Sequence, residues 1–363
     1  MRPLVLLAVL CLPALRLSSQ TTTFSQFYNL RTALNPAYVS AAEGVEVLAG
    51  YRRQWGQVQG GFQTAYAAAA VRSCHLPLAF GAYASDLHEP FFGYRQQEVG
   101  AQLGGFFGPG GDEWSMHAGA QAGLGQHRVD YDRLVFSSQL DPLFGQVGSP
   151  VPFFQSDGSR VQTFDMGLGG VLRGPLKVGK KYALPASVGF AIHHLVGGQD
   201  VSFLRLGQGQ VTRYTTHLAI AFPVSNHFRT ETVLYVNTLL RMEWESALQR
   251  STAGLIFQYD AVNFGLLYQS NRNPLALRNT NTLSLVLGGH FPLGKAAQCR
   301  LQYSFDGALS GLGQAASGGA HELTATFVFP GACVLRGIND QGRGRRGKTN
   351  CFQFAGQGYS GFF

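Results

Sequence analysis

The segment whose residue types come closest to a catalytic motif is rich in glycine and lysine: Gly174-Pro-Leu-Lys-Val-Gly-Lys-Lys181. It nearly matches the phosphate-binding loop, in which backbone N–H groups cradle phosphates and a final Ser or Thr hydroxyl reaches magnesium. Lys181 stands where that hydroxyl belongs, and Pro175 and the lack of a helical pattern after the segment also argue against nucleotide binding. The segment is therefore predicted to be a turn between two strands.

Two further groups contain residue types that bind metal ions, but their spacing does not form a metal site. His193 and His194 are adjacent on a predicted strand, so their rings are expected to point to opposite faces and not to share a metal ion. Asp130 and Asp132, in a long loop, supply too few oxygens for the roughly six to eight that calcium takes. We therefore predict no catalytic residue, no cofactor-binding residue, no cofactor and no metal ligand.

The elements that carry these residues are predicted to be β-strands, because apolar and polar side chains alternate along most of the chain. Leu323 and Phe327, for example, alternate with Glu322 and Thr324. Several of the alternating segments are longer than ten residues, which suits a tilted bilayer crossing. We predict about fourteen strands, near residues 45–54, 62–71, 78–86, 94–107, 114–125, 162–173, 184–197, 213–222, 227–240, 245–259, 261–270, 281–292, 298–309 and 319–329.

The composition favours an all-β, transmembrane antiparallel β-barrel. Only 13% of the residues are charged, 12% are aromatic, and glycine occurs 47 times. The mean hydropathy is +0.01, as expected where lipid-facing and lumen-facing residues alternate and their hydropathies cancel. The barrel is predicted at residues 45–330, with both the N- and C-termini in the periplasm.

The ends of the chain are predicted to lie outside the barrel. Residues 1–19 have the pattern of a cleaved signal peptide, with Arg2 before an apolar stretch at 4–15 and small residues before Gln20. Residues 20–44 are expected to be a periplasmic N-terminal lead-in. Residues 331–363 are expected to be a Gly/Arg-rich periplasmic tail.

Four cysteines remain after the signal peptide: Cys74, Cys299, Cys333 and Cys351. An exported protein meets an oxidising compartment, so disulfides can form. Cys333 and Cys351, which bracket the tail, are the pair we expect. Four unpaired thiols are the alternative, since spacing does not determine connectivity.

The net charge of +8 is partly concentrated in the tail. Gly342-Arg-Gly-Arg-Arg-Gly347 has the composition of an RNA-binding patch, but an exported protein does not meet cytosolic RNA, so no nucleic acid is expected. A solvated tail is one interpretation, and contact with an acidic envelope partner is the other.

Three short blocks follow the signal peptide in order: Phe24-Ser-Gln-Phe27, Asn35-Pro-Ala-Tyr38 and Tyr51-Arg-Arg-Gln-Trp55. Together they resemble the opening of the PorP/SprF family, outer-membrane proteins of the type IX secretion system. The blocks contain the residues expected to be structural or partner-facing, namely Phe24, Ser25, Gln26, Asn35, Pro36, Tyr38, Arg52, Gln54 and Trp55.

The resemblance implies a non-catalytic outer-membrane barrel. It implies that the barrel docks or anchors a secreted cargo protein through the cargo's type IX C-terminal signal domain, gliding adhesins being among such cargoes. Other type IX secretion or gliding envelope proteins and outer-membrane lipid are the further partners implied. Within this frame Asn35-Pro36-Ala37-Tyr38 is expected to plug the lumen, to cap its periplasmic mouth, or to start the first strand.

Two other functions remain open at this point. The first is an outer-membrane porin or hydrophobic-solute channel, which shares the barrel pattern. The second is an exported soluble β protein, because a soluble sandwich also alternates along its strands.

Overall fold

Fourteen long antiparallel strands form a closed barrel in the computed structural model. The structure describes residues 23–42, 44–57, 60–91, 93–108, 114–130, 133, 140–141, 143–146, 160–179, 182–196, 210–224, 234–246, 248–272, 280–294, 297–309, 318–330, 332 and 334. The predicted signal peptide and almost all of the predicted tail lie outside these residues.

The barrel strands are β1 (Gly44–Gln54), β2 (Phe62–Arg72), β3 (Leu78–Glu89), β4 (Tyr94–Phe107), β5 (Ser115–Arg128), β8 (Arg160–Val178), β9 (Tyr182–His193), β10 (Arg213–Val224), β11 (Leu234–Glu245), β12 (Leu248–Tyr259), β13 (Val262–Arg272), β14 (Thr280–Leu293), β15 (Ala297–Ala308) and β16 (Ala320–Pro330). A separate short hairpin, β6 (Leu140–Asp141) and β7 (Gly145–Gln146), lies in the connection between β5 and β8.

Each barrel strand pairs with its neighbours in the chain, and β16 pairs with β1 to close the sheet. The closing register runs from Gly44 opposite Pro330 to Gln54 opposite Ala320, so the seam is hydrogen-bonded along the whole of β1. Because β1 begins and β16 ends at the same rim, we name that rim the terminal end and the opposite rim the loop end. The two longest connections, residues 129–159 and 194–212, lie at the loop end.

The two faces of the barrel wall differ in polarity, as the alternation predicts. Leu287 and Leu323 are 61% and 53% exposed on the outer face, whereas their neighbours Val286 and Glu322 are buried on the inner face. An outer face of large apolar side chains suits contact with lipid, and an inner face of polar side chains suits a lumen. Among the described residues, no helix combines the length and apolarity that a membrane crossing needs.

The predicted fourteen-stranded barrel is confirmed, with several connections shifted along the chain. The sequence predicts strands at 227–240 and 245–259, but β11 runs to Glu245 and the connection to β12 is only residues 246–247. Alternation continues through the charged residues, because Arg241 and Glu243 face the lumen while Met242 faces outwards.

Most of the glycine- and lysine-rich segment is strand, and only its end forms the predicted turn. Gly174 and Pro175 lie within β8, and Gly179, at a φ of 66°, begins the turn into β9. Lys181 lies outside the described residues. The segment therefore has a strand where a phosphate-binding loop needs a helix.

The state of the cysteines contradicts both alternatives expected for them. Cys74 is disulfide-bonded, so the alternative of four unpaired thiols is wrong. Cys299 is a free, buried thiol. Cys333 and Cys351, the expected pair, both lie outside the described residues. Since Cys299 is free, that pair is incompatible with the Cys74 disulfide among the four cysteines that follow the signal peptide. Next to Cys333, Val334 pairs with the turn after β2, where its N–H donates to the Arg72 carbonyl at 3.0 Å.

Candidate functional site

The N-terminal segment of residues 23–42, hereafter the plug, lies inside the barrel. Residues 24–30 and 34–42 are all buried. The plug contains one short helix, α1 (Arg31–Leu34), and a 3-10 helix at Pro36–Ala41. Its partners are inward-facing side chains on opposite walls of the barrel, so the segment crosses the lumen. Of the three expected placements of Asn35–Tyr38, the plug is the one that the structure shows.

The plug begins near the loop end, where it binds buried charges. The backbone N–H groups of Ser25 and Gln26 each donate to one oxygen of the Glu322 carboxylate, both at 2.8 Å. The Ser25 hydroxyl donates to the Asp306 carboxylate at 2.5 Å. Arg52 Nη1 donates to Glu322 Oε2 at 2.8 Å and to the Ser25 hydroxyl at 2.9 Å. Hydrogen bonds to ionised groups are the stronger ones, so this cluster fixes the first residues of the plug.

A ladder of amide and hydroxyl groups continues the contact along β15 and β16. Gln26 Nε2 donates to the Ser304 hydroxyl at 3.0 Å, and the Thr324 hydroxyl donates to Gln26 Oε1 at 2.6 Å. Asn29 Nδ2 donates to Thr324 Oγ1 at 2.9 Å and also to Gln302. The inner wall thus satisfies the buried polar groups of the plug, which would otherwise cost free energy.

Asn35 links the two helices of the plug to the opposite wall. Its side-chain oxygen accepts the Ala37 N–H at 2.9 Å, as an N-cap does, and Pro36 is the first residue of the 3-10 helix. Its amide nitrogen donates to the Gly170 and Phe190 carbonyls, both at 3.1 Å. One side chain therefore starts a helix and holds it against β8 and β9.

The plug ends near the terminal end. Ser40 Oγ lies 3.0 Å from His117 Nδ1, close to the start of β5. Arg31 Nη2 pairs with Glu46, near the start of β1, at 2.7 Å. The plug therefore runs through the lumen from the loop end to the terminal end. The described part of the expected lead-in at 20–44 lies within the barrel, where its polar groups find their partners on the inner wall.

Two glycines on the inner wall make room for the 3-10 helix. A Cβ at Gly119 would lie 2.5 Å from the Pro36 oxygen and from the Ala37 nitrogen. A Cβ at Gly104 would lie 2.5 Å from Val39 Cγ1. No real Cβ approaches that closely, so the helix can lie here only against glycine.

A cavity of about 140 Å³ lies between the plug and the loop end. Thr23, Phe24 and Phe27 of the plug line it, and inward-facing side chains of β2, β3, β4, β5, β8, β9, β10 and β11 complete its wall. Its lining mixes aromatic rings with buried charged groups. Among the described residues, no group of three or more His, Cys, Asp or Glu is placed to hold a metal ion.

The two adjacent histidines line the same cavity, so the expectation that they point to opposite faces is wrong. β9 ends at His193, and His194 has a φ of 58°, which breaks the alternation of a strand. His193 Nε2 donates to the Leu34 carbonyl at 3.1 Å, and His194 Nδ1 lies 3.0 Å from Asp165 Oδ1. The His193 ring therefore bonds to the plug, and the His194 ring bonds to β8 of the barrel wall.

The comparison with protein families agrees with a membrane barrel. Residues 17–327 match the family described as type IX secretion system membrane protein PorP/SprF. The chain belongs to the PorP/SprF family. The resemblance seen in the three opening blocks is thus confirmed, and the protein is an outer-membrane barrel of this secretion-system family.

Several solved outer-membrane structures are similar to this PorP/SprF chain at low identity. A FadL homologue of Pseudomonas aeruginosa is 13% identical, with 82% of this chain and 92% of that chain covered and a TM-score of 0.42. A TodX mutant, a monoaromatic hydrocarbon channel, is 12% identical, with 86% and 96% covered and a TM-score of 0.41. CdiB from Acinetobacter baumannii is 7% identical, with 78% and 60% covered and a TM-score of 0.40. The search of curated proteins found no match.

The structure of this PorP/SprF protein brings most of the opening blocks together. Gln54 is the last residue of β1, and Trp55 follows it at the loop-end rim with a φ of 60° and 42% exposure. Trp55 therefore lies apart from the plug, and its N–H donates to the Gly319 carbonyl at 2.8 Å. The predicted residues that are buried in the plug or against it are Phe24, Ser25, Gln26, Asn35, Pro36, Tyr38 and Arg52.

The partners of the plug on the barrel wall were not predicted from the sequence. Asp306 and Glu322 lie at polar positions of the alternating pattern, which marks them as inward-facing but does not name a partner. The sequence does indicate that these two carboxylates have partners, because a carboxylate facing the lumen loses water and needs a hydrogen bond or ion pair to offset that cost. Gly104 and Gly119 carry no comparable signal, since glycine is frequent throughout this chain.

Proposed function

We propose that this outer-membrane barrel docks or anchors a secreted cargo protein at its loop end, through the cargo's type IX C-terminal signal domain. The observation that carries the proposal is the plug. Residues 23–42 occupy the lumen and are held by ion pairs or hydrogen bonds near both ends. A barrel whose lumen is filled by its own chain suits a membrane anchor whose partners bind outside the lumen.

The proposed orientation places the loop end at the cell surface and the terminal end in the periplasm. Outer-membrane barrels carry longer loops outside and tighter turns inside, and the two longest connections here are at the loop end. In this orientation the terminal-end turns and the basic tail face the other type IX secretion or gliding components. The proposal includes a signal peptide at residues 1–19 and a periplasmic tail at residues 331–363.

The base of the longest loop is fixed to its neighbour, which supports its use as a docking surface. Arg133 Nη1 donates to the Pro90 carbonyl at 2.8 Å, and the Asp130 N–H donates to the Gly93 carbonyl at 3.3 Å. Arg133 also pairs with Asp130 at 3.1 Å. These contacts attach the start of the 129–159 connection to the turn between β3 and β4.

Affinity purification from the native envelope tests the proposal. The tagged full-length protein, extracted in mild detergent, is expected to bring down a large secreted protein with a type IX C-terminal domain, identified by mass spectrometry. Replacement of residues 147–158 by a short Gly/Ser linker is expected to reduce recovery of this cargo. Removal of residues 335–363 is the matched control, expected to spare the cargo and reduce recovery of other envelope components. Unchanged cargo recovery from the loop variant would contradict docking at the loop end.

A porin or hydrophobic-solute channel is the competing outcome. Because the plug crosses the lumen, a channel requires the plug to move. Stable conductance of the purified wild-type protein in planar bilayers, without any protein partner, would favour the channel. We expect no such conductance.

A further inference from the structure

The cavity at the loop end has the size and the lining of a small binding site. At about 140 Å³ it has room for roughly ten water molecules, enough for a short organic molecule or an amino-acid side chain. Phe24, Phe27 and Leu30 supply apolar walls from the plug. The charged groups opposite them determine what such a molecule must carry.

Two acids of the cavity already have partners within the wall. The Glu98 carboxylate accepts the Tyr83 hydroxyl at 2.6 Å. Asp165 Oδ1 lies 3.0 Å from His194 Nδ1. Both acids are therefore engaged before any ligand enters.

The third acid is held by two arginines. Glu243 Oε2 lies 3.0 Å from Arg250 Nη1 and 3.8 Å from Arg241 Nε. Arg241 also donates to the Phe24 carbonyl at 3.0 Å and to the Thr252 hydroxyl at 3.2 Å. These side chains bond to one another and tie β11 to the plug, although Arg241 Nε itself makes no hydrogen bond within the described residues.

Arg213 differs from these charged residues, because it has no bonded partner among the described residues. It is the first residue of β10, it is only 9% exposed, and it lines the cavity. Within the described part of the chain its guanidinium makes no hydrogen bond and no ion pair, and its Nε is buried without a partner. Glu98 and Glu243 feel its charge from a distance, but each is bonded to another donor.

We propose that the loop-end cavity binds a carboxylate on an apolar stem, with Arg213 holding the carboxylate. A guanidinium presents a planar fork of donors that matches the two oxygens of a carboxylate. An anion there supplies the partner that a buried cation needs, and the aromatic wall of the plug takes the stem. This site does not rest on the proposed docking function. The carboxylate comes either from a free small acid or from a side chain or chain end of a bound polypeptide.

Calorimetric titration of the purified full-length protein with butanoate tests the site, with 1-butylamine as a probe of the same stem and opposite charge. Saturable binding of butanoate and none of butylamine is expected. Arg213→Gln is expected to weaken butanoate binding by about tenfold to a hundredfold, the range for lost hydrogen bonds to a charged group. Arg213→Lys keeps the charge but loses the fork, and an intermediate affinity is expected.

The control is Arg95→Gln, which removes a charge from the same end but at an exposed ion pair with Asp86. It is expected to bind butanoate like the wild type. Heat-modifiable gel mobility checks that each variant is a folded barrel, and Arg213→Lys serves if Arg213→Gln does not fold. Absence of saturable butanoate binding by the wild type, equal binding of butylamine, or equal affinity in Arg213→Gln and Arg95→Gln would overturn the proposal.

The two sources of the carboxylate are separated by a pull-down from the native envelope. If Arg213→Gln loses both butanoate binding and the recovered protein partner, the natural ligand is a carboxylate of that polypeptide. If butanoate binding falls and partner recovery is unchanged, the natural ligand is a free small acid. Both results support the site. Whether the site exists is decided by the butanoate titration alone.

Discussion

Arg52 on the first strand and Glu322 on the last strand are direct register partners, and their Nη1 and Oε2 atoms lie 2.8 Å apart. The pair spans the seam where the barrel closes. Its carboxylate also accepts the N–H groups of Ser25 and Gln26, so the same ion pair closes the sheet and fixes the start of the plug. Closure of the barrel and seating of the plug are therefore coupled.

Glu322→Gln is expected to destabilise the protein by about 3–5 kcal/mol, because it leaves Arg52 buried without one of its two carboxylate partners. The unfolding temperature in detergent measures this loss. Asp86→Asn is the matched control, since it breaks an exposed ion pair with Arg95 and is expected to cost under about 1 kcal/mol. Equal unfolding temperatures for the two variants would refute the coupling of seam and plug.

Gly104→Leu is expected to push the 3-10 helix of the plug away from β4. A side chain there meets Val39 and Ser40, and overpacking of this kind costs about 1–3 kcal/mol. Gly105→Leu, one residue along, faces away from the plug and is expected to stay within about 0.5 kcal/mol. Limited proteolysis with mass spectrometry of the fragments is the measurement. New cleavage within residues 23–42 is expected in Gly104→Leu alone, and its absence would contradict close packing of the plug.

Asn35→Ala is expected to loosen the middle of the plug. The substitution removes the cap of the 3-10 helix and the donor to the Gly170 and Phe190 carbonyls, at a cost of about 1–3 kcal/mol. Hydrogen exchange of residues 36–41 measures the effect directly. Gln63→Ala, which removes one exposed hydrogen bond from Tyr51, is expected to leave that exchange unchanged. Equal protection in both variants would mean that Asn35 does not hold the plug.

Leu287→Arg tests the lipid-facing wall. Leu287 lies near the middle of β14 and is 61% exposed, and an Arg at the bilayer midplane costs about 2–4 kcal/mol. Leu293→Arg places the same charge on the same outward face but at the end of the strand, where about 0–1 kcal/mol is expected. Urea unfolding in lipid vesicles, followed by tryptophan fluorescence, compares the two. A midplane cost no larger than the rim cost would argue against this face meeting lipid.

The strands were predictable because alternation is a local property. In β16, Leu323 and Glu322 differ in polarity and therefore face opposite sides, whatever lies across the lumen. Prediction failed where the alternation broke at one residue, and where it continued through charged residues that suggest a turn. His194 leaves the alternation through a positive φ, and β11 continues through Arg241 and Glu243 because the lumen provides partners for their charges.

The fourteen strands, their two faces and the family can all be predicted from the sequence, since each depends on residues close together in the chain. That the first two opening blocks lie in a plug is visible only in the folded barrel. Ser25 meets Glu322 from 297 residues away, and Asn35 meets Phe190 from 155 residues away. Such contacts exist only once the barrel has closed and brought its inner wall around the segment. The physical reason is that buried amides and charges take whichever partners the closed lumen presents, and no local pattern encodes that choice.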